Sequence, residues 1–344
     1  MLKFSYRNKK EPVVDGLKEK DFQTVDSLVN RDLKEVNNFI IANIKSEVPL
    51  IPVLSEYLLK SGGKRIRPRL TILFSKLFGY NYGKRHIQLS ACIECIHMAS
   101  LLHDDVVDES AVRRGRKTAN RIWGNKASVL VGDYLFSKAF QIMVKDNDSK
   151  VLDALSETTR SLAQGEVLQL SLINNLDISE EKYFKVIEDK TAKLFAASAM
   201  VGGIVAKADT KTLQKISEYG KYIGIAYQLL DDALDYESSS KRIGKKVGDD
   251  FKEGKATMPI LLAFSKSNSE EKEFWIKAIE KLKQNKKDFA IAQKIIKKYD
   301  CLSLTRALAE KYCQKAKLIM KDLPENTYNN QLIKLTSFVS ERSN

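Results

Sequence analysis

Between Pro68 and Pro259 the chain contains no proline. Proline is the residue most disruptive to a helix, because it removes a backbone hydrogen bond and clashes with the preceding turn. Through this stretch apolar side chains recur at helical spacing, as in Leu70, Leu73, Phe74 and Leu77, or Ile216, Tyr219, Ile223, Ala226 and Leu230. No Asn-Gly or Asp-Gly step between alternating strands marks a hairpin there. The pattern predicts an all-α chain of long helices and short loops. Helices are expected at about 22–46, 50–60, 66–78, 85–107, 118–125, 128–145, 149–173, 180–206, 211–236, 257–265, 270–284, 287–299, 301–319 and 328–340.

With 43% hydrophobic and 30% charged residues and only 16 glycines in 344, the composition excludes collagen-like, low-complexity and disordered chains. No internal repeat or linker divides it. The simplest organisation is one large helical domain over residues 22–344 behind an N-terminal extension, 1–21. The Lys-rich stretch from Ser265 to Lys298 reads as solvated helices and loops packed outside the main body.

Lysine and arginine number 58 against 44 acids, a net charge of +14 that favours anionic partners. The lysines are dispersed, with no arginine-rich or aromatic-interleaved stretch, so nucleic acid is not the expected partner. Four cysteines are too few for a disulfide framework. Cys92 and Cys95 form a CxxC inside an apolar helical run, without the turn of a zinc knuckle, and read as small core side chains. The first residues, MLKFSYRNKKEP, lack a signal-peptide apolar stretch, and the longest mainly apolar charge-free run, Leu194 to Ala206, has 13 residues. That is short of the roughly 20 needed to cross a bilayer, so a cytoplasmic protein is expected.

Two segments separated by more than 120 residues share one pattern: Leu101-Leu102-His103-Asp104-Asp105-Val106-Val107-Asp108 and Leu229-Leu230-Asp231-Asp232-Ala233-Leu234-Asp235. Each is a DDxxD ending an apolar helical run. On a helix the first and last aspartates lie roughly 6 Å apart along one face. At an effective dielectric of about 20, two carboxylates at that distance repel by roughly 3 kcal/mol. Such clusters make little sense as core or caps, and they suit a hard divalent cation. Mg²⁺ fits best, since it is usually held by one or two carboxylates together with substrate phosphates. No HExxH or EF-hand spacing competes.

Basic residues accompany both clusters. Arg113-Arg114-Gly115 follows the first. Upstream stands Ser61-Gly62-Gly63-Lys64-Arg65-Ile66-Arg67-Pro68, where a Gly pair ends one helix and Pro68 opens the next. Backbone N–H groups at that helix start, with Lys64 and Arg67, suit a phosphate. After the second cluster come Gly244-Lys245-Lys246 and Gly254-Lys255, a lysine at each glycine turn.

These motifs, GGKRIRP, HDDVVDESAVRRG, GDYLFSKAF, Lys190-Thr191, QLLDDALDY and GKKVGDDFKEGKAT, fall in the order found in the trans-isoprenyl diphosphate synthases, and the chain resembles that family over roughly residues 22–340. The resemblance implies a single helical bundle of the isoprenoid synthase type around a central cavity, and a homodimer, through the helix holding Gly132 to Phe140. It implies a prenyltransferase that joins isopentenyl diphosphate to an allylic diphosphate. It implies that Asp104, Asp105 and Asp108, with Asp231, Asp232 and Asp235, bind about three Mg²⁺ ions on the allylic diphosphate. Lys64, Arg67, His97 and Arg114 would hold isopentenyl diphosphate, and Arg113, Lys190, Thr191, Gln228, Lys245 and Lys255 the allylic diphosphate. His103, beside Asp104, is expected to pack or to orient a carboxylate.

Ala99 and Ser100, one turn before Asp104, are both small. In the family small residues there resemble those of long-chain producers, which implies an all-trans polyprenyl product near octaprenyl, a quinone side chain, and transient membrane contact for its release. A geranylgeranyl or farnesyl synthase is the nearest alternative. A noncatalytic partner subunit or a terpene cyclase fits less well, because both aspartate clusters and GGKRIRP are present. Phe136, Phe140 and Leu155 are candidates for the tunnel floor.

Overall fold

A computed structural model of the chain describes residues 18–237 and 247–341, with side chains from residue 28 onward. In chain order the helices are α1 (Lys18–Asn43), α2 (Leu50–Lys60), α3 (Ile66–Leu77) and α4 (Arg85–Val107), followed by a small hairpin, β1 (Val112–Arg113) and β2 (Arg116–Lys117). Then come α5 (Ala119–Trp123), α6 (Asn125–Asp146), α7 (Ser149–Leu172), α8 (Glu180–Ile187), α9 (Lys193–Val205), α10 (Thr210–Leu234) and α11 (Asp249–Lys252). The last are α12 (Met258–Lys266), α13 (Ser269–Trp275), α14 (Asp288–Lys298), α15 (Cys301–Met320) and α16 (Thr327–Ser340). Prolines mark helix starts: Pro49 caps α2, Pro68 lies in the first turn of α3 and Pro259 in the first turn of α12. There the missing N–H costs no helical bond.

The core is built around α4 and α9, which bury nearly every apolar side chain they carry. Helix α4 packs on α3 and α6, α9 packs on α3 and α10, and α10 packs on α15. The apolar run Leu194–Ala206 is therefore an interior helix. Cys92 and Cys95 are buried in α4; the Cys92 thiol donates to Ala139 O at 3.3 Å, and burial pushes the Cys95 thiol up to about 12.

The structure departs from the sequence expectation in several places. The segment 180–206 is not one uninterrupted α-helix: a π-turn, Glu188–Ala192, separates α8 from α9. The α-helix expected over 270–284 likewise ends at Trp275 and continues as a π-turn, Ile276–Glu280. The Ser265–Lys298 stretch does not merely coat the body, because it builds a second hydrophobic cluster. Trp275, Ala278, Ile279 and Ala292 are fully buried there together with Phe251 and Tyr236, and Trp275 Nε1 donates to Ser267 Oγ at 3.1 Å. Its lysines lie on the outer faces of the helices and in the loop before α14, so a high charge content conceals an apolar interior. Finally, α6 is the one helix among the described residues long and apolar enough by composition to cross a bilayer. It buries Val131, Leu135, Ala139 and Met143 and exposes Leu130, Phe140 and Val144.

Replacing Trp275 with Ala is expected to cost about 3–5 kcal/mol, the usual range for emptying an aromatic core site. Urea denaturation followed by circular dichroism would read this, and a loss below about 1 kcal/mol would show that the second cluster is not a packed core.

Candidate active site

Helices α4 and α10 end at the two aspartate clusters. Asp104 and Asp105 lie in the last turn of α4 with Asp108 as its cap, and Asp231 and Asp232 lie in the last turn of α10 with Asp235 as its cap. Neither last turn contains a basic residue. A helix C-terminus carries partial negative charge, so these are the least favourable ends for carboxylates. The arrangement works against helix stability and calls for external cations.

Both ends open into one cavity of about 370 Å³. His97, Ser100, Leu101, Asp104 and Asp108 face it from α4, a spacing of three and four residues that defines one helix face. Asp231, Asp232 and Asp235 line it from α10 and its cap. The two clusters thus share one chamber.

Asp105 lies off this wall. One position round the helix from Asp104, its carboxylate is buried and accepts from Arg113 Nε at 2.8 Å. Burial raises its pKa, against the pull of Arg113. Arg113 and Arg114 reach the cavity through the hairpin turn, where Arg114 and Gly115 both have positive φ, 51° and 73°. Two such residues are the signature of a type I′ turn, more often built from Asn-Gly, which is why the sequence concealed it. The Arg114 guanidinium donates to Gly62 O, and a Cβ on Gly63 would lie 2.5 Å from Arg114 Nη1. Gly63 also holds φ at 127°, a backbone conformation that favours glycine.

Arg67 and His97 form the neighbouring wall, with Nη1 and Nε2 3.3 Å apart. Arg67 stacks over Phe195 at 4.4 Å, and its buried Nε has no hydrogen-bond partner. An unpartnered buried donor is costly unless a ligand satisfies it. Lys64 stands outside the wall, its ammonium 4.0 Å over the Phe338 ring of α16.

Opposite, two lysines bridge the carboxylates. Lys255 Nζ donates to Asp108 at 2.8 Å and to Glu253 at 2.6 Å. Burial acts to lower its pKa, but Asp108, Asp250 and Glu253 more than offset this and raise it. Burial likewise acts to raise the pKa of Asp108, and Lys255 and Lys190 bring it below the usual value. Lys190 Nζ donates to Glu166 at 2.8 Å and Gln169 at 2.7 Å. The π-turn projects Lys190 and Thr191 into the cavity, and such turns recur at functional sites. Thr191 Oγ1 donates to Gln228, Gln228 Nε2 to Asp232, and Tyr183 Oη to the other Asp232 oxygen, at 2.9, 2.9 and 2.6 Å. Burial, then Asp250, raises the Asp232 pKa; burial, then Asp104, raises that of Glu166. Asp235 accepts from the backbone N–H of Gly248 and Asp250, both at 3.1 Å, and so anchors the loop that bears Asp249 and Asp250.

The sequence pattern assigns no role to Glu166, Gln169, Tyr183, Tyr227, Asp249, Asp250 or Glu253, all of which line the cavity. Glu166 and Gln169 are three apart on one face of α7, a signal present in the sequence but common on any helix. His103 does not orient a carboxylate of its own cluster. It turns away to α6, where its Nε2 lies 3.3 Å from Asp133 and its ring covers Gly132. Ala99 is fully buried behind Ser100, off the cavity wall. Lys245 lies outside the described residues.

An all-α body in which two long interior helices deliver carboxylates to one central cavity is an isoprenoid synthase fold. The polyprenyl synthetase family model matches residues 48–298. The chain is 41% identical to the octaprenyl diphosphate synthase of Escherichia coli, covering 94% of this chain and 99% of that one. Among solved structures, the decaprenyl diphosphate synthase of Rhodobacter capsulatus matches at a TM-score of 0.89 and 42% identity, over 94% and 99% of the two chains. A polyprenyl synthase from Caulobacter crescentus, complexed with calcium and isoprenyl diphosphate, matches at 0.91 and 41%, over 94% and 98%. This chain belongs to the polyprenyl synthetase family and is a trans-prenyltransferase.

His97 supplies a check on the site's electrostatics. Burial, then Arg67 and Arg114, holds its imidazole well below the ordinary 6.5. A lowered folded-state pKa means that the unfolded chain binds the proton more readily. The stability this contributes is present above the unfolded pKa and is lost as pH falls below it. The ligand-free protein is expected to lose stability between about pH 7 and 5, and His97→Gln should flatten that slope. Equal slopes for the two proteins in urea titrations would contradict the assignment.

Proposed function

We propose that the enzyme condenses isopentenyl diphosphate with an allylic diphosphate and repeats the step to a long all-trans polyprenyl diphosphate, octaprenyl or near it. The observation that carries this reading is the pair of facing aspartate clusters in one cavity with separate basic walls. Among the described residues no three His, Cys, Asp or Glu side chains close on one point as a ready-made metal cage. The donors are nevertheless all hard carboxylate oxygens, spread along two helix ends. That suits Mg²⁺, which keeps few protein ligands and completes its shell with water and substrate phosphate.

In this reading Asp104, Asp108, Asp231 and Asp235 would hold about three Mg²⁺ ions with the allylic diphosphate, in the cavity that Asp249 and Asp250 also line. Asp232, committed to Tyr183 and Gln228, fixes the α10 end. Asp105 positions Arg113. The bound metal would neutralise charge building on the leaving pyrophosphate. Lys190, Lys255 and Arg113, with Thr191, Gln228 and Lys245, hold the same group. Arg67, His97 and Arg114 fix isopentenyl diphosphate by its diphosphate, and Lys64 joins them by swinging inward from Phe338. The allylic C–O bond ionises, the isopentenyl double bond attacks the resulting cation, and the released pyrophosphate takes the proton.

The growing tail is placed between helices beneath the first cluster, beside the buried Ala99. Of the floor candidates, Leu155 is fully buried and Phe136 partly so, whereas Phe140 is 41% exposed and is not part of this chain's interior. The exposed apolar stripe of α6, Leu130, Phe140 and Val144, supports a homodimer through this helix. The enzyme works in the cytoplasm, and its product becomes a quinone side chain.

Replacing both Asp104 and Asp105 with Ala should lower turnover at least about a thousandfold, the scale for losing aligned transition-state charge stabilisation; turnover within tenfold of the parent enzyme would exclude metal binding by this cluster. Asp105→Asn alone should cost less than Asp104→Asn. Ala99→Phe should shorten the main product to C15 or C20 in an incubation of labelled isopentenyl diphosphate with farnesyl diphosphate. An unchanged ladder would misplace the tunnel, and a parent product of C15 or C20 would favour a short-chain enzyme. Each C5 unit buries surface worth about 3–4 kcal/mol, at ~0.8 per CH₂, so release limits turnover. Detergent should raise the steady-state rate and leave the single-turnover rate unchanged; equal steady-state rates would refute slow release.

A further inference from the structure

Six lysines lie between residues 281 and 297: Lys281, Lys283, Lys286, Lys287, Lys294 and Lys297, all exposed. The one acid in that stretch, Asp288, is buried and is already taken by Asn285 at 2.8 Å and Lys277 at 3.4 Å. None of the six lysines has an ion-pair partner among the described residues. Some surface lysines elsewhere do meet an acid, as Lys60 meets Glu56, Lys84 Glu35, Lys215 Asp322 and Lys221 Glu188. The stretch from 281 to 297 instead sets six exposed lysines against a single buried acid.

Apolar side chains stand among these lysines. Leu282 is 44% exposed and Ile291 40%. Leu282 holds φ at 47°, a left-handed turn that bulky residues seldom adopt. Ile291 shares one face of α14 with Lys294 and with Lys298, which pairs with Glu271 at 2.7 Å, and Lys287 is the helix's N-cap. We infer that this lysine-rich segment, with Leu282 and Ile291 exposed within it, docks on the surface of an anionic phospholipid bilayer. Lysines near such a surface are attracted by its negative potential, and interleaved apolar side chains enter the headgroup boundary. A nucleic-acid surface fits less well, for the stretch from 281 to 297 contains no arginine and buries its one part-exposed aromatic, Phe289, against Phe251.

The segment is joined to the active site. Gln284 Nε2 donates to Phe251 O of α11 at 2.7 Å, and Leu282 Cδ2 lies 3.0 Å from where a Cβ on Gly254 would stand, next to Lys255. Docking would place the bilayer against the support of the loop that carries Asp249, Asp250 and Lys255. The use of such docking, delivery of an apolar product, rests on the long-chain reading above; the binding itself does not.

The test is flotation of the full chain with vesicles of phosphatidylglycerol and phosphatidylcholine, compared with phosphatidylcholine alone. Binding should need the anionic lipid and weaken with added salt. The combined variant K281Q/K283Q/K286Q/K287Q should partition at least about tenfold less, and L282S should bind more weakly with the same salt dependence. The lysine variant should keep parent prenyltransferase activity in detergent. Equal flotation of parent and lysine variant would overturn the inference, as would duplex DNA that displaces the vesicles and loses affinity through the same substitutions. Product length, measured in the same detergent assay, separates the two claims: a short product defeats the long-chain reading while flotation still decides the docking.

Discussion

Mutual repulsion among carboxylates is the constraint around which this structure is arranged. Six aspartates occupy the closing turns and caps of α4 and α10, where the helix dipole adds to the repulsion. The protein offsets part of this with its own cations, Lys255 against Asp108 and Glu253, and Lys190 against Glu166. Other carboxylates are spent structurally, Asp105 on Arg113 and Asp232 on Tyr183 and Gln228. The net negative charge that remains along the two helix ends is what makes the cavity a cation site.

That division of labour explains why the two clusters, nearly identical as sequence, are not equivalent as chemistry. In the first, Asp105 turns sideways to hold an arginine that reaches the cavity. In the second, Asp232 stays on the wall but is saturated by hydrogen bonds, and Asp235 ties down the loop bearing Asp249 and Asp250. The second hydrophobic cluster, centred on Trp275, lies behind that loop through Phe251 and Phe289. Packing well away from the reacting groups thus governs where the acids and Lys255 stand.

Much of this is legible in the order of residues alone. The proline-free span and 3.6-residue periodicity imply the helices, and the two DDxxD repeats with their flanking basic residues imply a shared anionic and metal-binding site. Less visible are the residues brought in by geometry: Glu166 and Gln169, spaced as on countless solvent-facing helices, and Tyr183, whose hydroxyl meets Asp232 across 49 positions of sequence. The hairpin that aims Arg113 and Arg114 is hidden because its turn uses Arg-Gly where Asn-Gly is the usual sign.

The sequence by itself determined the helical class, the placement of the aspartates four apart on single helix faces, and the positive character of their surroundings, because each follows from local periodicity and covalent neighbourhood. Tertiary structure decided that Asp105 alone of the six aspartates lies off the cavity wall, that Lys64 rests on Phe338 rather than on the wall, and that His103 packs on Gly132. These depend on which distant side chain arrives first within hydrogen-bond or van der Waals reach. Such contacts arise from the packing of whole helices, and no pattern within a single segment encodes them.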